Sequence, residues 1–165
     1  MRRPHRLLLP AALLPLGLGV TIAAVRAAPQ QSRLRFAVTF PAERSASAID
    51  GRLLLFISAD TSGEPRFQVS DAPQTAQVFG VDVDGWRPGE TRYVDASAFG
   101  YPIHALAQLP RGTYRVQALI NRYETFKRSD GHTVKLPPDK WEGQQYANKP
   151  GNLYSRAVNL TISRT

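Results

Sequence analysis

The sequence predicts an all-β domain, an immunoglobulin-like antiparallel β-sandwich of about seven strands, behind an N-terminal signal peptide. Three observations point there. Beyond the leader no segment carries a sustained helical period, short apolar or alternating runs recur instead, and Gly, Pro, Asp and Ser stand between them as turn signals. Short strands at short spacing suit a sandwich, and a barrel would give a similar pattern.

The elements follow in chain order. Leu34, Phe36, Val38 and Phe40 fall on one face of an alternating strand that Pro41 ends. Residues 52–58 form a continuous apolar run entered through Asp50-Gly51, the form of a strand buried on both faces. Residues 67–69, 78–83, 91–94, 113–121 and 157–162 repeat the style and complete the seven. Residues 104–109 read as one short helical turn, and Pro110-Arg111-Gly112 as the turn that introduces the next strand. The stretch 124–154 is the exception. It holds Pro137-Pro138, Pro150 and Gly151, only residues 132–136 resemble a strand, and loops of this length are usually functional or disordered.

The leader has its own logic. Met1-Arg2-Arg3-Pro4-His5-Arg6 is basic, residues 7–25 are uncharged and apolar, and Val25 and Ala27 occupy the −3 and −1 positions of a cleavage site. The expected organisation is a signal peptide at 1–27, a short linker at 28–33 and a β-sandwich domain at 34–165. The apolar run is close to spanning length, but Pro10, Pro15 and its glycines oppose a durable helix, so no stable membrane span is expected after cleavage. The protein is expected in the periplasm or outside the cell. There is no cysteine, so neither a lipid anchor nor a disulfide framework is available, and a hydrophobic core must supply the stability.

Net charge is +8 from 21 basic and 13 acidic residues. Arg2, Arg3, Arg6 and Arg26 leave with the leader, and the remaining 17 against 13 give +4 without a basic run. A nucleic-acid footprint would be a stripe or cluster of cations, so nucleic acid is not an expected partner.

Catalytic chemistry finds little support. A hydrolase elbow needs Gly-x-Ser-x-Gly, and the chain has none. His104 and His132 read as packing or turn residues. Val81-Asp82-Val83-Asp84-Gly85 places Asp82 and Asp84 on one strand face, a weak calcium option, but no EF-hand ligands follow. No cofactor is expected. The long loop is more suggestive. Trp141, Glu142, Gln144, Gln145, Tyr146 and Tyr154 combine flat rings with amides and a carboxylate, the ingredients of a sugar- or peptide-binding surface. The same rings suit pinning the loop onto the sandwich edge, and that reading is favoured over ligand contact.

The segments Gly80-Val81-Asp82-Val83-Asp84, Gly100-Tyr101-Pro102, 109–118, Asp130-Gly131-His132, Trp141-Glu142-Gly143-Gln144-Gln145 and 150–155, in this order, carry a resemblance. Over about residues 34–163 the chain resembles the amino-terminal β-domain of large secreted bacterial proteins of uncharacterised or esterase-like type. The resemblance implies that catalytic machinery lies downstream of this region. Thr165 follows the last expected strand directly, so no catalytic residue carries over, and the chain is either a stand-alone version or part of a longer one. The expected function is therefore an exported, non-catalytic accessory or binding module for a glycan, peptide or cell-envelope component. The alternative is an enzyme, or a fragment of one, of the esterase or hydrolase kind.

Overall fold

The structure is a computed structural model that describes residues 34–139 and 145–163. The expected signal peptide and linker lie outside the described residues. The described residues are mostly β, with antiparallel sheets and two short 3-10 turns.

The principal sheet grows from the apolar run. β2 (Ile49–Ser58) pairs antiparallel with β3 (Gln77–Trp86) on one side and β6 (Gly112–Arg122) on the other. β5 (Phe99–Tyr101) adds to β3, and β10 (Val158–Ile162) adds to β6, giving the order β10-β6-β2-β3-β5. The two-residue β9 (Leu153–Tyr154) also pairs with β6. β1 (Phe36–Val38) and β4 (Arg92–Val94) form a second, short sheet, and β7 (Glu124–Lys127) and β8 (Thr133–Leu136) a hairpin.

Alternation puts Leu53, Leu55 and Ile57 of β2, Phe79 and Val83 of β3, and Val116, Ala118 and Ile120 of β6 on one face. Phe40, Val94, Leu106 and Leu109 close over them, with Phe36 and Val38 packed against the same cluster. Each fully buried Leu, Ile or Phe stabilises the fold by roughly 1.5–3 kcal/mol relative to exposure, and this face carries the main cluster, with Phe56 and Leu119 buried on the other. Trp86 is fully buried there, with Phe40 edge-on at 5.0 Å, and its indole N–H donates to the Glu90 carbonyl at 2.8 Å. Where β6 begins, the Tyr114 hydroxyl donates back to the Pro110 carbonyl at 3.0 Å and fixes the corner. Among the described residues no helix is long and apolar enough to cross a membrane.

Two expectations change. Residues 67–69 are not a strand: a 3-10 turn occupies Pro65–Phe67, with the amides of Phe67 and Gln68 donating to the carbonyls of Glu64 and Pro65. Pro65 fits the first helical position, where no amide is needed, and Arg66 is drawn down onto the sheet. The 124–154 stretch is also less loop-like than its composition suggests. Its first half is the β7–β8 hairpin, turned at residues 128–132 with Gly131 at φ +84°, and its second half ends in β9.

Candidate functional site

The face of the principal sheet opposite the core carries Tyr146 and Tyr154 of the predicted site residues. Strand register lays side chains across it in rows. One row runs Phe99, Gly80, Leu54, Leu119 and Tyr154, and the next runs Tyr101, Val78, Phe56 and Gln117. Phe56 and Gln117 are both buried on this face. Something must cover them, and that cover consists of the Pro65–Phe67 turn and the segment around residues 145–155.

Gln117 organises the cover. Its Nε2 donates to Glu64 Oε2 at 2.8 Å and to the Ser155 carbonyl at 2.9 Å, while its Oε1 accepts the Arg66 amide at 3.3 Å. The Ala118 amide donates to Ser155 Oγ at 3.0 Å. Asn152 repeats the device: its Nδ2 donates to the Tyr146 carbonyl at 2.9 Å, and its Oδ1 accepts the Arg122 amide at 3.0 Å. A side-chain amide can meet several backbone groups at once, so these two side chains extend the short β9–β6 ladder beyond its two residues.

Arg66 is buried as well, which is costly for a cation unless it is fully met. Its Nε bonds Glu64 Oε2 at 2.8 Å, its Nη1 donates to the Ala147 carbonyl at 2.9 Å, and its guanidinium packs on two rings. Its Cζ lies 3.6 Å from the ring centroid of Tyr154 and 4.4 Å from that of Phe67. Both rings remain about half exposed, 48% and 51%. The Gln117 hydrogen bond, opposed in part by burial and aided by the Arg66 cation, holds the Glu64 carboxyl below its usual range.

The predicted residues separate accordingly. Trp141, Glu142 and Gln144 lie outside the described residues. Gln145 is exposed, and its carbonyl accepts the Asn148 amide. Tyr146 stacks on Phe56 with centroids 5.9 Å apart, and burial pushes its hydroxyl pKa up. Tyr154 stands on the Arg66 guanidinium. Both tyrosines are thus pinned to the sheet, and Tyr154 keeps an open face.

Asp82 and Asp84 share the outer face, as their spacing requires. Each is met by protein cations: Asp82 by Arg52 Nη1 at 3.0 Å, Asp84 by Lys135 Nζ at 2.9 Å, and Lys135 also reaches Asp50 at 2.9 Å. The Tyr123 hydroxyl donates to Asp82 at 3.3 Å. Arg52 lies flat across Gly80, where a Cβ would come within 2.6 Å of its Nε. Among the described residues no group of three or more His, Cys, Asp or Glu is placed to hold a metal. His104 rests against Phe99, and His132 pairs with Asp130 in the hairpin turn.

Sequence reasoning missed Glu64, Arg66, Phe67 and Gln117. The only local signal was Glu64-Pro65-Arg66-Phe67, opposite charges beside a ring and a turn-forming proline. Gln117 gave none, because a polar residue between Val116 and Ala118 reads as solvent-facing in an alternating strand.

No family model, no curated protein and no solved structure matches the chain.

Proposed function

We propose that the chain is the β-domain of an exported bacterial protein and serves as a non-catalytic binding module for a cell-envelope glycan. The observation that carries this is the platform of Phe67, Arg66 and Tyr154. A buried guanidinium fixes two rings that each leave about half their surface open. Rings held in advance present an apolar surface at little entropic cost, and a sugar ring has an apolar face to lay on it. Glu64, 44% exposed and held charged beside the rings, supplies acceptors for sugar hydroxyls.

The immunoglobulin-like description belongs to the same reading. It is supported by the Tyr114 hydroxyl bonded back to Pro110, the device known as a tyrosine corner in that architecture. The basic, then apolar, then small-residue leader supports export. The resemblance to secreted esterase-like proteins supports an accessory role beside catalysis located elsewhere.

Retention of the purified protein on insoluble cell-wall polysaccharide, with a glycan array for specificity, tests the platform. Phe67→Ala and Tyr154→Ala should each weaken binding about 3- to 10-fold, the worth of one aromatic contact. Phe126→Ala, on the distant hairpin, should leave it unchanged. Wild-type retention by both platform variants would discard the platform.

A further inference from the structure

We propose that the edge formed by β10 is a docking site for one extended strand of a partner protein, apolar at alternate positions and acidic at its ends. Among the described residues β10 closes one end of the principal sheet and pairs only with β6. In an antiparallel strand alternate residues direct their N–H and C=O groups away from the partner they already have. An exposed edge of this kind is a template for another chain, and proteins usually blunt it with charges, proline or a bulge. Residues 157–163 contain no charged residue and no proline.

Side chains argue the same way. Val158 and Leu160 stand opposite Val116 and Tyr114, whose side chains are buried in the core. Yet Val158 and Leu160 are 49% and 40% exposed. Next to β9, which pairs with the same strand β6, a groove of about 230 Å³ is lined by Val38, Phe40, Arg44, Ala118, Ile120 and Leu153. An added strand would bond the edge through its backbone and lay every second side chain beside the exposed Val158 and Leu160.

Charge selects the occupant. Arg156 precedes β10, Arg111 adjoins Gly112, the residue paired with Ile162 at the other end, and Arg44 lines the groove. Among the described residues none of the three is in an ion pair. An uncharged strand bracketed by cations fits a peptide with carboxylates at its ends. A second copy fits less well, because a two-fold pairing presents the same arginines to one another.

The probe is a fluorescein-labelled nine-residue peptide alternating valine or leucine with threonine, with a glutamate at each end, titrated into the purified protein. Binding is expected to fall at least tenfold with Leu160→Lys, and at least tenfold when alternate peptide amides are N-methylated. Arg111→Glu combined with Arg156→Glu should reverse the preference toward a lysine-ended peptide. Phe67→Ala should change nothing, which separates this edge from the glycan platform. Three results would overturn the proposal: no binding of either peptide at millimolar concentration, equal binding of the N-methylated peptide, or a dimer that Leu160→Lys dissolves. Leu160 is exposed, and an unchanged melting curve for its variant shows that the fold is intact.

Discussion

Two stretches of the same long connection behave oppositely. The β7–β8 hairpin stands out from the sheet, with β7 exposed along its whole length and Phe126 and Leu136 40% and 52% open. It is moored through Lys135 to Asp50 and Asp84. The segment around 145–155 lies down on the sheet, stitched by Gln117 and Asn152 and weighted by Tyr146 on Phe56. Both are short and mixed in composition. What separates them is the surface that receives them: the carboxylates of Asp50 and Asp84 in one case, the buried Phe56 ring and Gln117 amide in the other. Exposed ion pairs contribute little, whereas buried hydrogen bonds are expensive to leave unmade.

The sharpest way to break the contrast is Gln117→Leu. It strands the Ser155 carbonyl, the Arg66 amide and part of Glu64 together, and urea unfolding should show a loss of about 2–4 kcal/mol, at roughly 1 kcal/mol or more per unmet group. A loss under 0.5 kcal/mol would mean that water replaces the amide and the stitching is incidental.

Acid should act next. Glu64 is held low by Gln117 and Arg66, and Asp50 by the Gly85 amide and Lys135. Carboxyls that release protons more readily when folded contribute stability that is complete above the unfolded range near pH 4. That stability is lost as pH falls through the lowered folded values. The melting temperature should therefore decline from pH 5 toward pH 2, and Glu64→Gln should flatten part of that slope. An identical slope in the variant would remove Glu64 from the account.

The smallest effect is expected at Lys135→Ala, with global stability scarcely changed because the pairs it makes are solvated. Its mark should be local: faster amide exchange in the β7–β8 hairpin at low salt, with the difference from wild type shrinking in 1 M salt, where surface pairs are screened. A global loss as large as that of Gln117→Leu would erase the distinction between the two stretches.

The sequence made the core legible because period-two alternation in residues 34–40 and 113–119 is enforced by burial on one face. It made β5 illegible. That three-residue strand centres on Gly100, and it forms because a glycine lets the backbone close onto the Phe79 ring and the Ile103 carbonyl, where a Cβ would collide with both. The residue types of 67–69 suit a strand, whereas Pro65 and the demands of Arg66 decide the turn. For the candidate site, Tyr146 and Tyr154 stood out as rings in an unusual loop. Their partners Phe56 and Arg66 lie 90 and 88 residues earlier in the chain, so only strand register reveals that they meet.

The edge-on pair of Phe40 and Trp86 gives the molecule an optical gauge. Phe40 lines the groove beside β9 and touches, 5.0 Å away, an indole that no solvent reaches. The chain has one other tryptophan, Trp141. With that residue replaced by phenylalanine, emission comes from Trp86 alone, and whatever presses on the groove wall is reported as a change in the colour and lifetime of light from the centre of the fold.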